Sequence, residues 1–543
     1  MKKIRLTPER REALRESWPA LVTALLYVLA FPSAGLWPLA FVALAPTLAI
    51  AQGAKTTERT WWFGFVAGFV GNAGKLYWLV YTINHYGHFP LPAALVVFSL
   101  LCGFLGVFWG YTFWLTRRVG ERVALPLSVV FPLAWMTQEW VLTWFLTGFP
   151  WSMIGHALVG WLPMAQAADV IGGLGLSFPV ALGNAVIYEI WKFARERQSR
   201  PDRRFPVGEF VTFAMWVVAL AVYGFLRIPA IDQQMASGRA IRVGMTQGNI
   251  DQNEKWNPGN QDRTFETYLA QAKKTVVDGA SLVLMPETAL PYWQTQGRAL
   301  KSDLREFVDG VGAWTLIAVP TKVENPDDPE WPYKYNSVVL ASPDGDLSDW
   351  YNKHRLVPFG EYLPLKKLSV PLVKWLRSIP ALSKLRLSAG FYPGEEYIVF
   401  PHPEGRFGMA ICYEIIYPGI VRKVVNLGTD FMVTITNDAW FGDTSAPHQH
   451  WDQVRMRAIE HRKYFARSAN TGISGVIDAA GRTKSATGTY VPAAVTDDVR
   501  TMNVQTIYSR LGDWFQWVCV LAFLAFSAIA YARARRARAA DGV

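Results

Sequence analysis

Hydrophobic positions along the chain fall into two regimes. Up to about residue 227, long apolar runs follow one another with short polar breaks, whereas from 228 to 508 the apolar stretches shrink to strand length and alternate with amphipathic segments. One more apolar run precedes the end. A helix needs about 20 apolar residues to cross the hydrocarbon core of a bilayer. That length predicts spans at 18–33, 35–51, 60–82, 91–116, 123–146, 162–191, 207–226 and 513–532. The first two are short and meet at Pro32-Ser33-Ala34-Gly35, which reads as a tight helical hairpin. No small-residue cleavage site follows the first apolar stretch, so it is not read as a cleavable signal peptide. The resulting division is 1–227 as a transmembrane domain of seven spans, 228–508 as a mixed domain, and 509–543 as a final span with a basic tail.

Within 228–508 the period of the pattern changes repeatedly. AIRVGMTQGN (240–249) reads as a strand and turn, and 261–278 places Phe265, Tyr268, Leu269, Ala272 and Val276 on one helical face. SLVLMPET (281–288) is a buried strand ending in Pro-Glu, a helix fits 298–312, and WTLIAVPTKV (314–323) is another strand. Residues 336–353 form a hairpin around Pro343-Asp344-Gly345. FGMAICYE, FMVTITND and TGISGVIDAAGR supply further strands, with a helix at about 448–465. Strands alternating with helices and then hairpins predict an α/β sandwich with helices on its outer faces. Neither a glycine-rich nucleotide loop nor a paired Cys-x-x-Cys occurs, which argues against nucleotide and structural zinc sites.

Charge orients the spans. The 543 residues carry a formal net charge of +11, although only 18% are charged, against about 25% in soluble domains. Lys and Arg are retained on the cytoplasmic side of a membrane. They cluster in 1–17, in 55–59 (Lys55, Arg59), in 117–122 (Arg117, Arg118, Arg122), in 192–204 and in the tail from Arg533, while 83–90 and 147–161 contain none. This alternation predicts cytoplasmic termini and places 228–508 on the opposite side. The five basic segments hold more than the whole excess, so the positive charge is topogenic and no nucleic-acid partner is expected. Three cysteines, Cys102, Cys412 and Cys519, are too few for a disulfide framework. For Lys75, Glu139 and Glu189, within the spans, two readings stay open: paired packing groups near span ends, or the wall of a lateral cleft for a lipid headgroup.

Three strand ends hold the candidate chemistry. Glu287 follows SLVLM, Lys353 follows the hairpin in DWYNKHRLVPFGEYLP, and Cys412 follows FGMAI. Taken singly these are a helix cap, a solvated hairpin residue and a small core hydrophobe. Taken together they form a reactive set. A free thiol is mostly protonated at neutral pH; a carboxylate accepts its proton and returns it to a leaving group; an ammonium stabilises an oxyanion. The backbone N–H of Tyr413 is a second candidate oxyanion donor. Between Lys353 and Cys412, segment 363–387 interleaves Leu, Val, Trp and Ile with Lys366, Lys367, Lys374, Arg377, Lys384 and Arg386. That composition suits either a membrane-dipping arm or an ordinary amphipathic surface helix.

The motifs PETALP, NKHRLVPFGEYLP, ICYEI and ITNDAWFG, with AFPSAGLWPLAFVALAP (30–46), TGFPWSMIGHAL (147–158) and AQAADVIGGLGLSF (165–178), resemble the apolipoprotein N-acyltransferase family, membrane-anchored members of the nitrilase superfamily. The resemblance implies an extracytoplasmic α-β-β-α sandwich, with Glu287 as general base, Lys353 as stabilising lysine and Cys412 as nucleophile. It also implies supporting roles for Glu361, Tyr413, Glu414 and Trp256. Asp251 stands where the family's GNIPQ stretch has proline. The implied activity is transfer of a fatty acyl chain from a membrane phospholipid, through a thioester, to the N-terminal α-amine of a diacylated apolipoprotein. The implied setting is a bacterial inner membrane with the catalytic domain periplasmic, and neither metal nor cofactor is expected. Two other readings remain. A membrane-anchored amidase or nitrilase would use the same residues with water as acceptor, and a transporter with an extracytoplasmic binding domain would not need Cys412.

Overall fold

The computed structural model describes residues 12, 16–325, 332–383, 385 and 390–540. Most of the basic segment 1–17, and Lys384 and Arg386 of the segment 363–387, lie outside the described residues. The chain divides into two units, one comprising Met1–Tyr77, Leu95–Arg227 and Leu511–Val543, the other Trp78–Ala94 and Ile228–Arg510.

Among the described residues three helices are long and apolar enough to cross a membrane: Leu91–Val123, Val207–Ser237 and Trp514–Ala539. Where one span was expected over 162–191, the chain forms two helices, Ala168–Gly175 and Ser177–Glu196, bent by 62°. Gly172, at φ 75°, breaks the first of them. The other expected spans are shorter or more polar helices: Trp18–Leu29, Ala45–Gln52, Thr57–Lys75 and Leu127–Leu142. Thr57–Lys75 opens on Thr-Glu-Arg-Thr and is rich in glycine, which lowers its hydropathy but serves packing. A Cβ on Gly64 or Gly68 would lie 3.1 Å from the Cα of Gly110 or Gly106 respectively, so four glycines let two backbones approach as small residues do in membranes. Buried Asn184 secures the N-terminal hairpin. Its Oδ1 accepts from the N–H groups of Leu44 (2.6 Å) and Ala45 (3.2 Å), and its Nδ2 donates to Ala40 O.

Among the described residues the second unit has twelve strands: β1 (Ala240–Gln247), β2 (Leu282–Leu284), β3 (Gln294–Thr295), β4 (Trp314–Val323), β5 (Tyr333–Ala341), β6 (Tyr351–Asn352), β7 (Phe407–Ile411), β8 (Phe431–Thr436), β9 (Phe465–Ala469), β10 (Gly475–Ile477), β11 (Thr483–Ala486) and β12 (Ala493–Arg500). One sheet runs β12-β1-β2-β4-β5-β6 with β3 on β4; the other runs β11-β10-β9-β8-β7. In each, three neighbouring strands are parallel and the next pair antiparallel (β1, β2, β4, then β5; β7, β8, β9, then β10). The helices Gln261–Val277 and Ser302–Val311 cover the first sheet, with Tyr268, Ala272, Leu304 and Phe307 clustered on Val283, Ile317 and Val339. Gly244 permits this approach, because a Cβ there would collide with Thr275. Between the sheets, Ser468 Oγ donates to Thr246 O (2.8 Å). The expected strands and helices are present with shifted ends. The helix expected at 448–465 is Ala446–His461, stopped by Arg462 in the left-handed region (φ 53°), and the chain then enters β9. Strands β3, β9, β11 and β12 were not anticipated; β3 and β11 are very short, β9 is polar in part, and β12 alternates weakly.

Candidate active site

Each reactive side chain leaves a strand end, where side chains have run out of ladder partners. Glu287 lies three residues beyond β2, Lys353 follows β6, and Cys412 follows β7 as the first residue of the short helix Cys412–Ile416. All three are buried, at 5%, 1% and 6% exposure, and the two sheets bring them together.

Lys353 Nζ donates to Glu287 Oε1 and to Glu361 Oε1, both at 2.9 Å. Asn336 Nδ2 bridges the same two oxygens at 2.7 and 3.1 Å. On the other side of Glu287, Oε2 accepts from Asn437 N at 3.1 Å, and the Cys412 thiol is among the groups that favour this carboxylate's ionised form. Burial alone would raise the Glu287 carboxyl, but the neighbouring Lys353 charge and these hydrogen bonds hold it below the usual carboxylate range. For Lys353, burial disfavours the ammonium, yet Glu287 and Glu361 outweigh it and raise the group well above an ordinary lysine. Burial, and then the charge of Glu287, push the Cys412 thiol up. These directions favour a thiol, a carboxylate and an ammonium side by side.

The supporting candidates occupy different positions. Glu361 shares Lys353 and ties its other oxygen to Val357 N (2.7 Å). Glu414 is fully buried and accepts from Ile411 N (2.7 Å), His354 N (2.6 Å) and Tyr351 Oη (2.9 Å). It thus joins the loop of Lys353 to the strand of Cys412 rather than facing a ligand. Tyr413 Oη accepts from Tyr417 Oη at 3.0 Å. Trp256 ends the short helix Gln252–Lys255 and is 39% exposed. Its neighbour Lys255 is fully buried and donates to Glu287 O (3.2 Å) and Thr288 Oγ1 (3.1 Å).

Sequence reasoning did not single out Lys255, Asn336 or Asn437. Asn336 opens the hairpin segment and Asn437 lies inside ITND, so polar residues at strand ends were the available signal. Among the described residues, no cluster of His, Cys, Asp and Glu suits a metal ion. Chemically, the arrangement suits acyl transfer: a nucleophile, a base in contact with it, and a cation fixed beside both.

Residues 23–186 match the apolipoprotein N-acyltransferase N-terminal domain, and 242–500 match the carbon-nitrogen hydrolase domain. A relative named apolipoprotein N-acyltransferase from Geobacter metallireducens is 34% identical over 522 residues, 96% of either chain. One of the same name from Azotobacter vinelandii is 32% identical, covering 97% of this chain and 98% of its own. Among solved structures, Saccharomyces cerevisiae Nit3, a member of the nitrilase superfamily, aligns with 48% of this chain and 90% of its own at 18% identity and a TM-score of 0.37. With that identity over nearly its whole length, and both domains in their expected order, the chain belongs to the apolipoprotein N-acyltransferase family.

Proposed function

We propose that the protein transfers a fatty acyl chain from a membrane phospholipid, through a thioester on Cys412, to the α-amine of the diacylglyceryl-cysteine that begins an apolipoprotein. The observation that carries this reading is a buried Glu287 carboxylate that Lys353 Nζ contacts at 2.9 Å, with the buried Cys412 thiol among the groups acting on it. In the first half-reaction, Sγ bonds to the ester carbonyl carbon while its proton passes to Glu287. Lys353 and the Tyr413 N–H stabilise the oxyanion, and collapse expels lysophospholipid, which takes the proton from Glu287. In the second, the amine attacks the thioester, gives a proton to Glu287, and the thiol is restored. This is a ping-pong sequence with one covalent intermediate. The chain's own residues supply the base, the nucleophile and the charge stabilisation.

The lipid nature of both substrates is supported by the helix Lys366–Ser378. Its Leu368, Leu372 and Trp375 are 69%, 49% and 61% exposed, while Leu376, with Leu382, packs beside Phe89, Ala94 and Leu385. Exposed Lys367 and Lys374 flank that apolar face, a combination that lies in a headgroup interface. The same reading includes eight spans, both termini in the cytoplasm, and the catalytic unit on the periplasmic side of a bacterial inner membrane; its support is the alternation of loop charge.

The test is intact-protein mass spectrometry after incubation with phospholipid and no acceptor. Wild type is expected to gain one fatty-acyl mass that hydroxylamine removes and a diacylated lipopeptide discharges, and Cys412→Ala is expected to gain none. Hydrolysis of small amides with no acyl adduct would instead assign an anchored amidase. An adduct that persists in Cys412→Ala would remove the thioester from the mechanism.

A further inference from the structure

Behind the nucleophile lies a buried polar group that the acyl-transfer chemistry does not itself use. His450 Nε2 is 3.2 Å from Cys412 O. On the other side of the ring, Nδ1 is 3.1 Å from Asp438 Oδ1 and 3.0 Å from Arg467 Nη2. Arg467 Nη2 also donates to Asp438 Oδ2 (2.7 Å), and Thr436 Oγ1 donates to Asp438 Oδ1 (2.8 Å). Asp438, His450 and Arg467 have no exposed surface. Gly472 closes over the carboxylate, because a Cβ there would collide with Asp438.

Elementary constraints fix how this group is used. A carbonyl oxygen only accepts, so the proton on His450 must sit at Nε2 and point at Cys412 O. Burial and the adjacent Arg467 charge favour the neutral ring, which leaves Nδ1 as an acceptor for the guanidinium. Cys412 itself sits at φ 51°, in the left-handed region that a non-glycine residue adopts only under constraint. Its peptide bond to Tyr413 is planar and trans, so the carbonyl of Cys412 and the N–H of Tyr413 point in opposite directions. Tyr413 lies in the first turn of the helix Cys412–Ile416, where N–H groups lack intrahelical acceptors. Holding the carbonyl toward His450 therefore turns the Tyr413 N–H the opposite way, away from the His450 ring.

We infer that His450 is a positioning residue: with Asp438 and Arg467 behind it, it grips the Cys412 carbonyl and so aims the Tyr413 N–H at the oxyanion of the acyl-transfer step. This rests on Cys412 being the nucleophile. It predicts that His450 matters for attack on a carbonyl, where an oxyanion forms, and hardly at all for attack on a saturated carbon, where none does.

The experiment uses the full-length, detergent-solubilised protein and two reagents for the same thiol. The burst with p-nitrophenyl acetate reports acylation through an oxyanion, and the rate of alkylation by iodoacetamide reports the thiol alone. For His450→Ala the burst rate constant should fall by about 100-fold, the scale of losing one oxyanion donor, while alkylation stays within about threefold of wild type. His450→Gln, whose amide nitrogen reaches the same carbonyl, should recover at least about tenfold of the burst. A wild-type burst in His450→Ala, or equal losses with both reagents, would overturn the assignment. Should His450→Ala fail to fold, His450→Leu, which fills the buried volume without a donor, carries the same test: a slower burst with normal alkylation supports the positioning role, and two unchanged rates overturn it. Acylation of wild type by phospholipid is measured in parallel. Its absence, with the split intact for the soluble ester, would overturn the lipid-donor reading and leave the positioning role standing.

Discussion

Glu287 is held by two buried lysines, and their fates differ. Lys353 reaches its carboxylate and Lys255 its backbone carbonyl. Both are essentially inaccessible, at 1% and 0%, so water is withdrawn from both ammonium groups to a similar degree. Lys353 is nevertheless raised well above an ordinary lysine, whereas burial brings Lys255 down to about 7, with Glu287 opposing only in part. The difference lies in the partners. Two carboxylates, Glu287 and Glu361, converge on Lys353, while Lys255 bonds to a carbonyl and a hydroxyl, whose dipoles replace lost hydration incompletely. Partner charge, rather than depth, favours the ammonium of Lys353 and leaves that of Lys255 disfavoured.

The comparison is broken most severely by Lys353→Met. The burst with p-nitrophenyl acetate should slow by about 1,000-fold, since the oxyanion loses a cation and two buried carboxylates lose their counter-ion. A decrease under about tenfold would show that Lys353 serves packing alone. Next in size is the pH dependence of stability. Between pH 7 and the unfolded value of 10.5, the folded protein binds fewer protons at Lys255 than the unfolded chain does, so stability contributed by this group rises with pH. The unfolding free energy of Lys255→Met should lack the rise that wild type gains from pH 7 to pH 9, about 2 kcal/mol at the upper limit. Parallel curves for the two proteins would mean that Lys255 stays charged throughout.

A smaller effect is expected for Glu361→Gln, which leaves Lys353 one carboxylate. The burst should fall by about tenfold, and no loss would make Glu361 a spectator. The pH profile sharpens the same point. With Glu287 held below the usual carboxylate range, activity should be flat from neutral pH downward and fall only near or below pH 4.5. The stability that its ionised form contributes is lost in that same direction, because protonation removes the partner of Lys353. An acid midpoint above 6 would show that Lys353 does not hold Glu287 ionised. The smallest change concerns the exposed helix: Trp375→Ser should leave the soluble-ester burst unaltered and slow acylation by phospholipid vesicles by about threefold.

The sequence alone determined the division into a long-span region and a mixed α/β region, because span length and strand period are local properties of the pattern. It also made Glu287, Lys353 and Cys412 the candidates for the site, since each stands where an apolar strand stops and its chemistry is visible in the residue type. Span integrity was less legible. The expected single helix over 162–191 is two helices bent at 62°, and Thr57–Lys75 trades hydropathy for glycine packing against a neighbour that no local window contains. Only the tertiary structure decided which polar residues serve the site. Lys255, Asn336, Asn437 and His450 lie on four separate segments, and any of them read singly is an ordinary polar residue. Their roles arise from partners 32 to 150 residues away. Charge and burial act over a few ångströms in space, and separation along the chain does not enter either.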